Sequence, residues 1–333
     1  MCSIGLLQPA ISANNPPPLR LGGSGYNLKM CCRLALMSSF GLVTSILACI
    51  AFAQKSKPSA SNLLESLPGT PFEWEAVPEI SERSSLNVPV TLADSTYKYQ
   101  FDTGADVTII YGGEAARKFG WRKGRRVVRF PGIGLGGIML PASNVVVNDQ
   151  EVEPGGTAGT IGLDVLIGHV VVLDFPAKRI YVALRADLPA AVWDRTVWTP
   201  AEIRGGKFFV HLKLNGADYK DLFLDTGSSA FPLIVDTGQW KTLTQTVDDN
   251  HPPKEITASS WGKKVKFVGA PALGAIEIAS LSLDHPMIFH TPADPNGFHS
   301  QPHGAYGLLG NALFWNDILV LDFSITPQLG ILR

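Results

Sequence analysis

Two acids stand at the ends of runs that otherwise read as strand, each in the triplet Asp-Thr-Gly. Asp102-Thr103-Gly104 closes the β-prone run Tyr97-Lys98-Tyr99-Gln100-Phe101, and Asp225-Thr226-Gly227 closes Leu222-Phe223-Leu224. Two carboxylates delivered on two like loops can share one proton and polarise a water between them, which is general acid/base hydrolysis without a covalent intermediate. In each triplet the Asp supplies the carboxylate, the Thr hydroxyl can bond backbone of the opposite loop, and the Gly lets main chain approach closely. A lone Asp-Thr-Gly reads instead as a turn in which the Asp bonds its own backbone. Asp236-Thr237-Gly238 is such a case.

The elements that must position the two acids repeat along the chain. Thr160-Ile161-Gly162-Leu163 follows the first triplet and Leu308-Leu309-Gly310-Asn311 the second. Each glycine is followed 12 positions later by the Asp of a Leu-Asp-Phe, at Asp174 and Asp322, a spacing that active-site chemistry does not impose. That is the mark of an internal repeat. Asp102 to Gly162 spans 60 positions and Asp225 to Gly310 spans 85, so the second copy is the longer. Residues 88–92 and 97–101 alternate as strands around Ala93-Asp94-Ser95, and residues 114–119 form a short helix. Residues 208–214 and 220–224 form a hairpin across Asn215-Gly216, the strongest short hairpin signal. Asp236 and Gly113 each lie 11 positions after a triplet acid, which predicts Asp236 as the N-cap of a helix through Gln239 to Leu243.

From about Val88 to the C-terminus the chain resembles the aspartic proteases of the retropepsin-like and pepsin-like type, as two fused retropepsin-like lobes in one secreted bacterial chain. The resemblance rests on the two triplets, on the apolar-apolar-Gly segments behind them, and on Gly132-Ile133-Gly134-Leu135-Gly136-Gly137, which is similar to the glycine-rich flap of the retroviral enzymes. It implies an all-β fold of two lobes, each a small closed β-barrel, with the cleft between them. It implies Asp102 and Asp225 as the catalytic pair, supported by Thr103, Gly104, Thr226, Gly227 and Ser228. Substrate would be held by Asp106, four positions after Asp102, by Ser229 in the matching place, and by Ile133, Gly134, Leu135, Gly136 and Gly137 of the flap. Residues 269–274 occupy the flap interval of the second lobe without the repeated glycines.

Other chemistries lack what they need. A net charge of −1 over 333 residues gives no field for nucleic acid. The four cysteines, Cys2, Cys31, Cys32 and Cys49, all precede the repeated region, so neither disulfides nor thiol chemistry is expected in it. His299 and His303 have the step of a helical zinc pair, but Pro302 lies inside it and no Glu follows His299, so no metal site and no cofactor is expected. Ser228 and Ser229 lack the Gly-x-Ser-x-Gly elbow of a serine nucleophile. The expected partner is a peptide or protein substrate, and with both acids in one chain dimerisation is not required.

Five segments are predicted. Residues 1–53 are an N-terminal extension and a signal peptide or membrane anchor, because Lys29 to Arg33 is basic, residues 34–53 are uncharged and apolar, and Ala51-Phe52-Ala53 suits a cleavage site. The product is then secreted or periplasmic; retention of the apolar run would leave it membrane-anchored, and Cys49 offers a lipoprotein-like acylation point. Residues 54–85 read as a linker or pro-segment, 86–185 as the first lobe, 186–204 as the connection, whose Trp193 and Trp198 read as packing anchors, and 205–333 as the second lobe. The alternative function is a secreted peptide-binding module on the same scaffold with little or no turnover.

Overall fold

Apolar residues at every second position set this chain into strands. Val127–Phe130 and Ser143–Asn148 bury alternate side chains, while Val170–Asp174 and Ile318–Asp322 are buried on both faces. The computed structural model describes residues 59–122, 124, 126–148, 156–246, 254–260, 263–301 and 303–333. The expected leader and the four cysteines lie outside them. Among the described residues no helix is long and apolar enough to cross a membrane.

The molecule is mostly β. Its first half contains β1 Gly69–Pro71, β2 Glu73–Val77, β3 Ser81–Leu92, β4 Ser95–Phe101, β5 Ile109–Tyr111, α1 Glu114–Lys118, β6 Val127–Phe130, β7 Ile133–Leu135, β8 Ile138–Leu140, β9 Ser143–Asn148, β10 Gly159–Ile161, β11 Val170–Asp174 and β12 Arg179–Ala183. After α2, Ala190–Arg195, come β13 Thr196–Arg204, β14 Lys207–Leu214, β15 Ala217–Asp225, β16 Leu233–Val235, α3 Thr237–Thr244, β17 Lys254–Ser260, β18 Lys263–Pro271, β19 Ala275–Ile278, β20 Leu281–Asp284, β21 Met287–His290, β22 Gly307–Gly310, β23 Ile318–Asp322 and β24 Gln328–Leu332.

The internal repeat is visible in the strand pairing. In the first half β4 pairs β10 in parallel, β10 pairs β5 antiparallel, β5 pairs β9 in parallel and β9 pairs β6 antiparallel. In the second half β15, β22, β16, β21 and β18 follow one another with the same alternation of directions. The two Leu-Asp-Phe strands join the halves: β11 pairs β23 antiparallel with Val172 opposite Val320, positions that the repeat itself makes equivalent. A local twofold therefore passes between them. Alternation then splits these strands between two cores. Val171, Leu173, Leu319 and Leu321 face the main core, while Val170, Val172, Ile318 and Val320 face a second cluster closed by Leu64 and by Val192 of α2. Burying each such side chain is worth roughly 1.5–3 kcal/mol.

The hairpin at Asn215-Gly216 forms as expected, with φ of 51° and 79° at its two central residues. Residues 54–85, expected as a linker or pro-segment, are built into the sheets over part of their described length. Gly69–Pro71 pairs β12 at the edge of the central sheet and Glu73–Val77 pairs β3. Pro68-Gly69 leads into β1, and Phe72, which the polar composition around it obscured, is buried against Trp74 and Phe175. Trp193 and Trp198 pack with ring centroids 4.4 Å apart and planes tilted by 37°, with Arg185 over Trp193, against the second cluster.

Candidate active site

Each triplet sits where a strand ends. Phe101 closes β4 and Asp225 closes β15, and each strand runs in parallel beside the glycine-bearing strand of its own half, Ile161 opposite Phe101 and Gly310 opposite Asp225. A Cβ at Gly310 would collide with the carbonyl oxygens of Ser228 and Phe231, and one at Gly162 with backbone of Val107, so only glycine lets these strands run behind the loops.

The loops meet head to head. The Thr103 hydroxyl donates to the Leu224 carbonyl at 2.9 Å and accepts from the Thr226 amide at 3.2 Å. Reciprocally, the Thr226 hydroxyl donates to the Phe101 carbonyl at 3.0 Å and accepts from the Thr103 amide at 2.9 Å. Both threonines are fully buried. A Cβ added at Gly104 would stand 2.5 Å from Asp225 Cγ, and one added at Gly227 would stand 2.5 Å from Asp102 Cγ. Each glycine thus lies under the other half's carboxyl, and the two acids face each other across the twofold.

Backbone donors orient both carboxyls. Asp102 Oδ1 accepts from the amides of Gly104 and Ala105 at 2.8 and 3.1 Å, and Asp225 Oδ1 accepts from those of Gly227 and Ser228 at 2.9 and 3.2 Å. The Ser228 hydroxyl also donates to Asp225 Oδ2 at 2.8 Å. Burial, and next the neighbouring Asp225 carboxylate, push the Asp102 carboxyl well above the usual range, against the Gly104 amide and the Lys207 ammonium, which pull it down. Two acids so placed can hold one proton between them and bind a water to both. No protein-family model and no curated protein matches the chain.

Two of the expected site assignments, Ser229 and residues 132–137, are placed differently by the structure. Asp106 is exposed beside the pair, but Ser229, its counterpart, is fully buried: its hydroxyl donates to the Thr226 carbonyl and accepts from Asn311 Nδ2. It braces the loop and has nothing left for substrate. Residues 132–137 are not a free flap. Ile133 and Leu135 are core residues, Gly134 pairs with Thr91 of β3, and the Gly136 carbonyl accepts from Val182 of β12 at 3.1 Å. Gly136 and Gly137 have φ of 58° and 93° because they turn a tight hairpin against Val182 and Pro68. The glycine-rich pattern marks that turn, not mobility. Gly136→Ala accordingly lowers thermal stability, with a Cβ 2.5 Å from Val182 Cγ2, by roughly 1–3 kcal/mol in a denaturation series.

Asp236 does stand at the N-cap position of α3, but its carboxylate makes no cap hydrogen bond there. It accepts instead from the amides of Phe298 and His299 at 3.0 and 2.9 Å, and so anchors the loop of residues 291–306. That anchoring places Phe298 and His303 against Phe223, next to Lys207.

Two features escaped the sequence reading. One is Lys207, at the start of β14, whose ammonium donates to the Gly104 carbonyl of the first triplet's loop. The other is the hairpin of β17 and β18, seven paired positions from Lys254↔Gly269 to Ser260↔Lys263. Ile256, Ala258 and Phe267 of that hairpin pack with Phe231, just beyond the second triplet. Its alternation, Ile256-x-Ala258 and Val265-x-Phe267, was the legible signal.

Proposed function

We propose that the chain is an aspartic endopeptidase of two lobes, each half curled into a small barrel, with substrate lying in the cleft above Asp102 and Asp225. The observation that carries this reading is the reciprocal approach of the two triplets, each glycine under the other acid's carboxyl and each threonine bonded to the other loop. One carboxylate takes a proton from the bound water as it attacks the peptide carbonyl, and the other gives its proton to the carbonyl oxygen. No cofactor takes part. Asp106 accepts from the substrate backbone on one side, and the β17–β18 hairpin, rather than residues 132–137, covers it. The apolar run 34–53 directs the enzyme out of the cytoplasm, as a secreted or periplasmic protein.

The test is cleavage of an unfolded protein by the purified chain across acid to neutral pH. Cleavage that a statine-type peptide blocks is expected, because its hydroxyl takes the place of the water. Tight binding of peptides with no hydrolysis at any pH overturns the enzyme in favour of a peptide-binding module.

A further inference from the structure

We infer that Phe298 determines specificity: it fills the apolar seat beside Asp225, so that the cleaved bond carries a small side chain, Gly, Ala or Ser, on the side facing the second half. The inference rests on the endopeptidase reading and names a substrate class for it. Residues two apart on a strand share a face, so Phe223 of β15 lies on the face of Asp225. In the first half Gln100 stands two positions before Asp102 in the same way. Across the parallel pairing Phe223 lies opposite Leu308, and Gln100 opposite Thr160. The repeat therefore sets an apolar pair beside one acid where a polar pair stands beside the other.

An apolar pair next to a reacting centre is where a substrate side chain would pack, but this one is already covered. Phe223 is 5 % exposed and Leu308 6 %. Two rings from the loop of residues 291–306 lie on Phe223, Phe298 at 6.1 Å and 62° and His303 at 5.7 Å and 71°, both edge to face. Phe298 packs on the cluster that contains Phe223 and Leu308, and the Lys207 ammonium stands 5.6 Å from the Phe223 ring. Gln100, by contrast, stays half-buried, its amide reaching the Gly227 carbonyl at 3.5 Å.

The filler is held in place from behind. The amides of Phe298 and His299 both donate to the buried Asp236 carboxylate, at 3.0 and 2.9 Å, and hydrogen bonds to an ionised acceptor are the strong ones. The Thr237 amide donates to the Pro295 carbonyl at 2.9 Å, the Ser300 amide to that of Asn296 at 3.0 Å, and His299 stacks on Tyr306 at 5.6 Å. An incoming side chain thus meets Phe298 fixed on Phe223. A substrate Leu or Phe needs the volume that this ring occupies, whereas Gly, Ala or Ser does not.

A peptide library varied on both sides of the cleaved bond, read as kcat/KM with the purified chain, tests this. On one side the native chain is expected to prefer Ala over Leu by about a hundredfold, the scale on which a filled apolar pocket discriminates. Phe298→Ala is expected to raise kcat/KM for Leu on that side alone by about tenfold or more. Phe298→Leu moves it the same way by less, and Phe298→Tyr, which keeps the ring, retains the native profile. Large apolar residues accepted on both sides by the native chain, or a profile unmoved in Phe298→Ala and Phe298→Leu, overturns the inference. If the native chain cleaves nothing, the endopeptidase reading falls, and calorimetric binding of statine-type peptides with Ala or Leu on either side of the hydroxyl decides the seat. Tighter binding of a Leu peptide only in Phe298→Ala supports it; equal binding of Ala and Leu peptides by the native chain, or no binding by either protein, overturns it.

Discussion

If the chain is the proposed endopeptidase, Asp102→Asn and Asp225→Asn are each expected to lower peptide cleavage by about 10⁴-fold or more, the upper range for loss of an acid/base group, with the fold intact. The substitution is isosteric, and the Asn carbonyl can accept from the Gly104 and Ala105 amides as the Asp102 carboxyl does. What is lost is the shared proton, which requires both carboxyls. For Asp102 the same change has a second consequence, opposite in sign. Its carboxyl is held above the usual range by burial and by Asp225, so the folded state binds the proton more tightly than the unfolded chain does. Stability is then full below the unfolded value and declines as pH rises from there through the raised folded value. Asp102→Asn, which carries no charge at any pH, is expected to melt higher than the native chain at neutral pH and to lose that advantage in acid. Calorimetric melting of both proteins from pH 3 to 8 reads it. Equal pH profiles would mean that Asp102 titrates as an exposed acid does, and significant turnover by either Asn variant would remove the residue from the chemistry.

The parts of this molecule that were legible in the sequence are those where a local rule and the tertiary structure agree. The strand ends before Asp102 and Asp225, the Asn215-Gly216 turn and the matched glycines at 162 and 310 each have a single conformational use, so residue type alone points to them. The antiparallel pairing of Val172 with Val320 follows from the 12-position repeat once the halves are joined. Residues 132–137 misled because glycine serves two opposite purposes. It makes flaps pliable and it makes hairpins tight, and only the contact of Gly136 with Val182 decides between them. Ser229 misled because its position matched Asp106 while its partner, Asn311, lies 82 positions away. Lys207 was invisible for a related reason: its acceptor is a carbonyl on the other half of the chain, 103 residues distant, and no spacing rule encodes that.

The two triplet threonines carry the second large effect, on stability. Thr103→Val keeps the side-chain volume but removes the hydroxyl that donates to Leu224 and accepts from the Thr226 amide. Thr226→Val removes the reciprocal pair, to Phe101 and from the Thr103 amide. Both sites are fully buried, so the stranded backbone groups find no water, and a buried group left without a partner costs about 1–3 kcal/mol. Each substitution is therefore expected to cost roughly 3 kcal/mol in urea unfolding, a large share of the stability of an ordinary domain. Thr103→Ser and Thr226→Ser, which keep the oxygen and lose a methyl, should cost roughly 1 kcal/mol. The double Val variant should fall short of the sum, because the first substitution already loosens the loop that the second acts on. Cleavage is expected to fall about a hundredfold in each Val variant under conditions where it remains folded, since displacement of one carboxyl by about 1 Å from the other spoils the water site. Val variants as stable as the Ser variants would show that packing, not the crossed hydroxyls, holds the two loops together, and would leave the opposed glycines as the feature that brings the acids face to face.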